Sequence, residues 1–203
     1  IPYLNNLKTN IIINIAGSQM DDYLETLKAI ESSKSDHVGY EINISCPNVK
    51  EGGMEFGVNA EVTEKLTHEM RKLTDKLLIM KLSPNVTDIV GIAKAAENGG
   101  ADAVSAINTV VGMSININTR KSKLFTNIGG LSGPAIKPIA LANIYKLYNA
   151  IKIPIIGIGG ITSANDVIEF ILAGAHLVQI GTHNYINPNA GVEIANELAD
   201  YCK

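Results

Sequence analysis

Residues 39–57 read GYEINISCPNVKEGGMEFG. The segment 40–45 alternates apolar and polar side chains, as a short strand does, and runs into Cys46, Pro47 and Asn48. Proline cannot continue a central ladder, so the strand stops there. A thiol is left at the carboxyl edge of a sheet, where open α/β sheets and α/β barrels keep their chemistry. A free cysteine is more often a small buried hydrophobe. The neighbours point the other way: Pro47 ends the strand, the amides of Asn43 and Asn48 bracket the thiol, and Gly52 and Gly53 loosen the loop beyond.

On either side of this stretch the same unit repeats. Strands are expected at 10–16, 40–45, 77–82, 103–107, 155–158 and 177–180, each short and mostly apolar. Helices are expected at 21–30, 59–74, 87–97, 141–150, 163–173 and 191–201. Asn59, Thr87 and Ser163 are suited to cap three of them, with Asp166 at the third position after Ser163. Residues 110–135 break the rhythm; SININT alternates and GGLSGP turns, so an inserted hairpin on the loop face is expected there. Apolar strands separated by helices mean a parallel sheet covered on both faces, either a barrel or a doubly wound sheet. An eight-unit barrel typically needs about 250 residues, and only six units are legible here.

Composition bounds the rest. With 203 residues, 46% of them hydrophobic, the chain can bury one sizeable core, and residues 1–203 are expected to form a single soluble domain. A net charge of −3 with no basic block argues against a nucleic-acid surface, and the absence of Trp against a base-stacking platform. The longest apolar run, 151–161, is interrupted by Pro154 and glycines and is too short for a membrane span. The opening IPYLNNLKTN lacks the charged and apolar regions of a signal peptide. Cys46 and Cys202 are too few and too far apart for a disulfide framework, so a cytoplasmic setting is expected. The four histidines show no metal-ligand spacing, and no metal site is expected.

The strand ends converge on one kind of ligand. IGIGGIT and QIGTHN close the last two strands. Glycines ahead of a helix start offer bare backbone N–H groups to an anion, and the last two loops of a barrel are its usual phosphate site. Gly159, Gly160, Gly181 and Thr182 are therefore candidate phosphate ligands. Either pair alone reads equally well as turn glycine; two pairs on successive strands favour the anion. No dinucleotide fingerprint is present. Lys81 interrupts the apolar strand 77–82. A lysine there snorkels, or serves as a cation beside an electron-rich cofactor such as a flavin. Asn14, Asn43 and Asn108 lie at or near strand ends, where amides can both donate to and accept from a planar heterocycle.

In this order and spacing, NISCPNVKEGG, KLSPNVTD, AINT, GGLSGPAIKP, GIGGI and QIGT resemble dihydroorotate dehydrogenase over nearly the whole chain. The loop after Cys46 and GGLSGPAIKP are most similar to the class 1B catalytic subunit. The resemblance implies a TIM (β/α)8 barrel of the FMN-linked type, of which about six βα units, corresponding to strands three to eight, are present. It implies oxidation of dihydroorotate to orotate in pyrimidine (UMP) biosynthesis, with Cys46 as the base at C5 and hydride passing from C6 to FMN. Asn43, Asn48, Asn108 and Thr109 match orotate-contacting positions. Asn14, Asn43, Lys81, Ile107 and Gly133 match FMN contacts, and Gly159, Gly160, Gly181 and Thr182 the phosphate site. FAD and an iron–sulfur cluster would sit on a partner subunit that passes electrons to NAD, beside a homodimer of catalytic subunits.

The family pattern begins with about two further strands that carry part of the active site, so a truncated, inactive FMN- or phosphate-binding barrel is the competing expectation. A flavoprotein of the dihydropyrimidine dehydrogenase type and a fumarate-using class 1A homodimer are the others.

Overall fold

Short apolar strands that hide both faces have to be covered by helices on one side and by their own interior side chains on the other. The computed structural model describes residues 3–33, 35–45 and 57–201 and has this arrangement. Six parallel strands form one sheet in the order β1 (Ile12–Ala16), β2 (Gly39–Asn43), β3 (Leu77–Leu82), β4 (Ala103–Ala106), β9 (Ile155–Ile158) and β10 (Leu177–Gln179). Between them run α1 (Met20–Glu31), α2 (Ala60–Arg71), α3 (Ile89–Asn98), α4 (Lys137–Tyr148) and α5 (Ala164–Leu172), and α6 (Ala190–Tyr201) closes the chain. Residues 110–131 form the expected insertion. Antiparallel β5 (Val110–Met113) and β8 (Ile128–Leu131) enclose the smaller pair β6 (Ile115–Asn116) and β7 (Lys121–Ser122).

The period of two along each strand sorts the side chains. Leu78, Met80 and Leu82 of β3 are fully buried and join the main core with Tyr23, Leu66 and Phe170 from the helices. The alternate residue Ile79 packs instead with Ala103 and Ile156, a small separate apolar floor on the opposite face. Above that floor, the same face carries Lys81 and Ser105, which share one register position. The two outermost strands are wetter: Ile12 of β1 and Leu177 of β10 are exposed, whereas every residue of β4 is buried.

The sheet is not flat. Four steps of about 4.8 Å would put β2 and β10 about 19 Å apart in a planar sheet. Yet Gln179 Nε2 of β10 donates to Glu41 Oε1 of β2 at 2.8 Å. Side chains cannot span that gap, so the six strands curl toward one another as in a barrel wall. This decides between the two parallel architectures left open by the strand pattern.

Most local signals act as expected. Asn59 caps α2 by accepting from Val62 N at 3.1 Å, and Ser163 and Asp166 form a capping box on α5. Several boundaries differ: β2 ends at Asn43 rather than 45 and α2 at Arg71 rather than 74, and two helix starts have a clear cause. Asp88, not Thr87, caps α3, because its carboxylate accepts from Gly91 N at 3.0 Å. α4 starts at Lys137 rather than 141, since Pro138 fits a first turn whose N–H groups need no partner. No helix among the described residues is long and apolar enough to cross a membrane.

Asp166 also ties loop to helix. Its Oδ2 accepts from Thr162 N, Thr162 Oγ1 and Ser163 N, and its Oδ1 from Lys137 Nζ at 2.7 Å. Burial alone would raise its pKa; the Lys137 ammonium and the Thr162 and Ser163 donors pull it down to about 2. A depressed carboxylate stabilises the fold above its unfolded pKa of about 3.9, and that contribution is lost as pH falls through the folded value. Asp166→Asn should therefore cost about 1 kcal/mol at pH 7, roughly 2–4 °C in Tm, and the gap from wild type should close between pH 4 and pH 2 in thermal melts.

Candidate functional site

The carboxyl ends of β3, β4, β9 and β10 open into a cavity of about 630 Å³, mouth included. Its wall holds Lys81, Ile107, Asn108, Thr109, Gly133, Gly159, Gly160, Gly181 and Thr182. Nine residues singled out in the sequence thus meet in one place, although they come from five separate segments of the chain. The peptide between Ala106 and Ile107 is cis.

The rim is built from two glycine loops in contact. Gly160 has φ +77°, and a Cβ on it would lie 2.8 Å from Gly133 O and 3.0 Å from Lys137 N. Only glycine lets the loop after β9 press against the turn that starts α4. Gly181 is different: a Cβ there would find nothing nearer than Ile158 Cδ1 at 3.9 Å, so its backbone faces open space.

The amides converge beside this cavity. Asn108 Nδ2 donates to Asn43 Oδ1 at 2.9 Å, while Asn108 Oδ1 accepts from Thr109 N. Tyr23 Oη donates to the Asn43 carbonyl, and Ser45 Oγ to the Lys81 carbonyl, which fixes the ends of β2 and β3. Asn85 bridges to the hairpin, donating to Thr109 O and accepting from Val111 N, each at 2.9 Å.

Lys81 also lines a second hollow on the concave face of the sheet, shared with Asn14, Glu41 and Gln179. Asn14 lies mid-strand, paired in register with Glu41, rather than at a strand end. Glu41 is the centre: its Oε2 accepts from Asn14 Nδ2 at 2.7 Å and from Lys81 Nζ at 3.1 Å, and its Oε1 from Ser105 Oγ at 2.7 Å and from Gln179 Nε2 at 2.8 Å. The carboxylate is only 7% exposed and the Lys81 side chain 14%. Burial pushes the Glu41 pKa up, but the Lys81 charge and these donors outweigh it and hold the pKa below the usual carboxylate range. Glu41, Ser105 and Gln179 were not foreseen. The only signal was a polar residue in the short strands LLIMKL, AVSA and LVQ; Glu41 sits in an alternating strand and carried none.

Cys46, Asn48 and the glycine loop after them lie outside the described residues.

A curled parallel sheet with a ligand mouth at its carboxyl edge is the binding part of a (β/α)-barrel protein. The family model for dihydroorotate dehydrogenase matches residues 2–201, and the chain belongs to that family. It is 50% identical over 201 residues to the dihydroorotate dehydrogenase B (NAD(+)) catalytic subunit of Thermoanaerobacter sp. strain X514. It is 48% identical over 203 residues to that of Porphyromonas gingivalis. Each alignment takes in nearly all of this chain and 66% of the relative, so the chain spans about two thirds of the curated relatives' length. Among solved structures, a DHODH from Eimeria tenella in complex with ferulenol has a TM-score of 0.72 at 22% identity, over 90% of this chain and 54% of that one. That likeness shows a shared fold.

Substitutions at the rim separate backbone need from open space. Gly160→Ala should cost more than about 1 kcal/mol in denaturant unfolding, because of both its φ and its contacts, whereas Gly181→Ala should be nearly neutral.

Proposed function

We propose that this chain carries the flavin- and substrate-binding core of an NAD-linked, class 1B dihydroorotate dehydrogenase, oxidising dihydroorotate to orotate with FMN. One observation carries the reading: Lys81 lines the same mouth as the glycine rim and Asn108, whose amide is bonded to that of Asn43. A cation, an anion cradle and paired amides together suit a phosphorylated cofactor and a planar, amide-bearing substrate.

The residues fit FMN. The open space over Gly181 leaves room for a phosphate on bare backbone, and that over Gly133, where a Cβ would reach only Thr182 Cγ2 at 3.8 Å, leaves room for the ring beside it. Gly159, Gly160, Gly181 and Thr182 would hold that phosphate, and Ile107 and Gly133 would flank the ring. Lys81 would place its charge against the ring and Asn14 would help fix that side. The chemistry FMN supplies when bound is acceptance of the hydride that leaves C6 of dihydroorotate.

The chain's own residues do the rest. Asn43, Asn48, Asn108 and Thr109 orient the substrate ring. Cys46 takes the proton from C5, and the electron pair of that C–H bond becomes the new C5=C6 double bond as the hydride departs. A base with the pKa of an ordinary thiol, about 8.5, should give a rate that climbs toward alkaline pH. Electrons would leave through a partner subunit holding FAD and an iron–sulfur cluster, with the catalytic subunits forming a homodimer.

Anaerobic dihydroorotate should bleach the visible flavin bands of the FMN-loaded protein, and dihydrouracil should not. Cys46→Ala should slow bleaching at least about a hundredfold with FMN still bound. Flavin reduction that survives Cys46→Ala, or that prefers dihydrouracil, overturns the assignment.

A further inference from the structure

Lys81 does not stand free beneath the mouth. Its ammonium lies 3.1 Å from Glu41, a carboxylate on the neighbouring strand whose two oxygens accept four hydrogen bonds from four different strands. A buried charge costs free energy unless it is paired and hydrogen-bonded, and a strand can present an apolar residue at this position as easily as a polar one. The alternate residues below it form such an apolar floor, Ile79, Ala103 and Ile156. The carboxylate also accepts from the side chain of Asn14. Hydrophobic packing alone therefore does not explain Glu41.

We propose that Glu41 is a positioning residue for Lys81: it pins the ammonium to the concave face and offsets part of its charge, so that a bound flavin meets a damped cation and is held at a lower reduction potential than Lys81 alone would impose. This inference rests on the assignment of Lys81 to the flavin. The direction follows from charge. A cation near the flavin favours its reduced, anionic form; an anion 3.1 Å behind that cation opposes the effect. Ser105 Oγ and Gln179 Nε2 hold the other oxygen, so the carboxylate cannot swing away and release the lysine.

Glu41→Gln is the informative variant. It keeps the volume and removes the charge. Gln can still accept from Lys81 through its oxygen, and the Ser105 hydroxyl and the Gln179 amide can reverse to accept from its NH₂. Reduction potentials of bound FMN are measured for wild type, Glu41→Gln, Lys81→Met and the double variant, together with FMN affinity. Glu41→Gln should shift the reduction equilibrium at least tenfold toward reduced flavin, about +30 mV for a two-electron couple, and Lys81→Met should shift it the other way. The double variant removes both charges and avoids an uncompensated buried ion. It should match Lys81→Met, because without Lys81 a desolvated Glu41 takes up a proton.

An unchanged or lower potential in Glu41→Gln, with Lys81→Met still lowering it, overturns the role of Glu41 and leaves the flavin assignment standing. If Glu41→Gln does not fold, a double variant whose potential differs from that of Lys81→Met overturns the role. If Lys81→Met leaves the potential of bound flavin unmoved, or the wild-type protein binds no FMN, the flavin assignment itself fails and this inference fails with it.

Discussion

One buried carboxylate joins most of the sheet. Glu41 takes hydrogen bonds from β1, β3, β4 and β10 while sitting on β2, so five of the six strands meet at a single side chain. Backbone ladders alone specify which strands are neighbours; they allow a gently twisted open sheet as readily as a barrel wall. A desolvated charge must also be satisfied by hydrogen bonds, and here the donors come from strands on both sides of β2. The curl of the sheet brings the side chains of β1 and β10 to it.

That curl makes the mouth. With the strands bent round a polar layer, the end of β3 and the loops after β4, β8, β9 and β10 face a common space instead of lining a flat edge. Close glycine packing between the loop after β9 and the start of α4 closes one side. On another side, the Asn85 bridge to Thr109 and Val111 anchors the inserted hairpin. Lys81 belongs both to the polar layer and to the mouth. The polar layer that joins the strands thus reaches the mouth, and this links the fold to the chemistry proposed for it.

Much of this was legible in residue order. Strand 77–82 was placed correctly because a continuous apolar run between turns has few alternatives, and Ser163 with Asp166 marked the start of α5 by their capping spacing. The glycine pairs and Lys81 fell into one cavity because strand ends of a parallel sheet share an edge. What could not be read was Glu41. In sequence it is one acidic residue in an alternating strand, indistinguishable from a solvent-facing one. Its partners Ser105 and Gln179 lie 64 and 138 residues away, and only the curl brings them together. The cap of α3 was missed by one residue because Thr87 and Asp88 both suit the position, and only geometry shows which side chain meets Gly91 N.

A crystal structure of the protein with FMN bound tests the central claim most directly. The flavin ring should lie against Lys81 with its phosphate on the backbone of Gly159, Gly160, Gly181 and Thr182, and Lys81 should still be paired with Glu41 beneath it. A phosphate held elsewhere, or a Lys81 turned away from the ring with Glu41 unpaired, would contradict the link drawn here between the buried polar layer and the site.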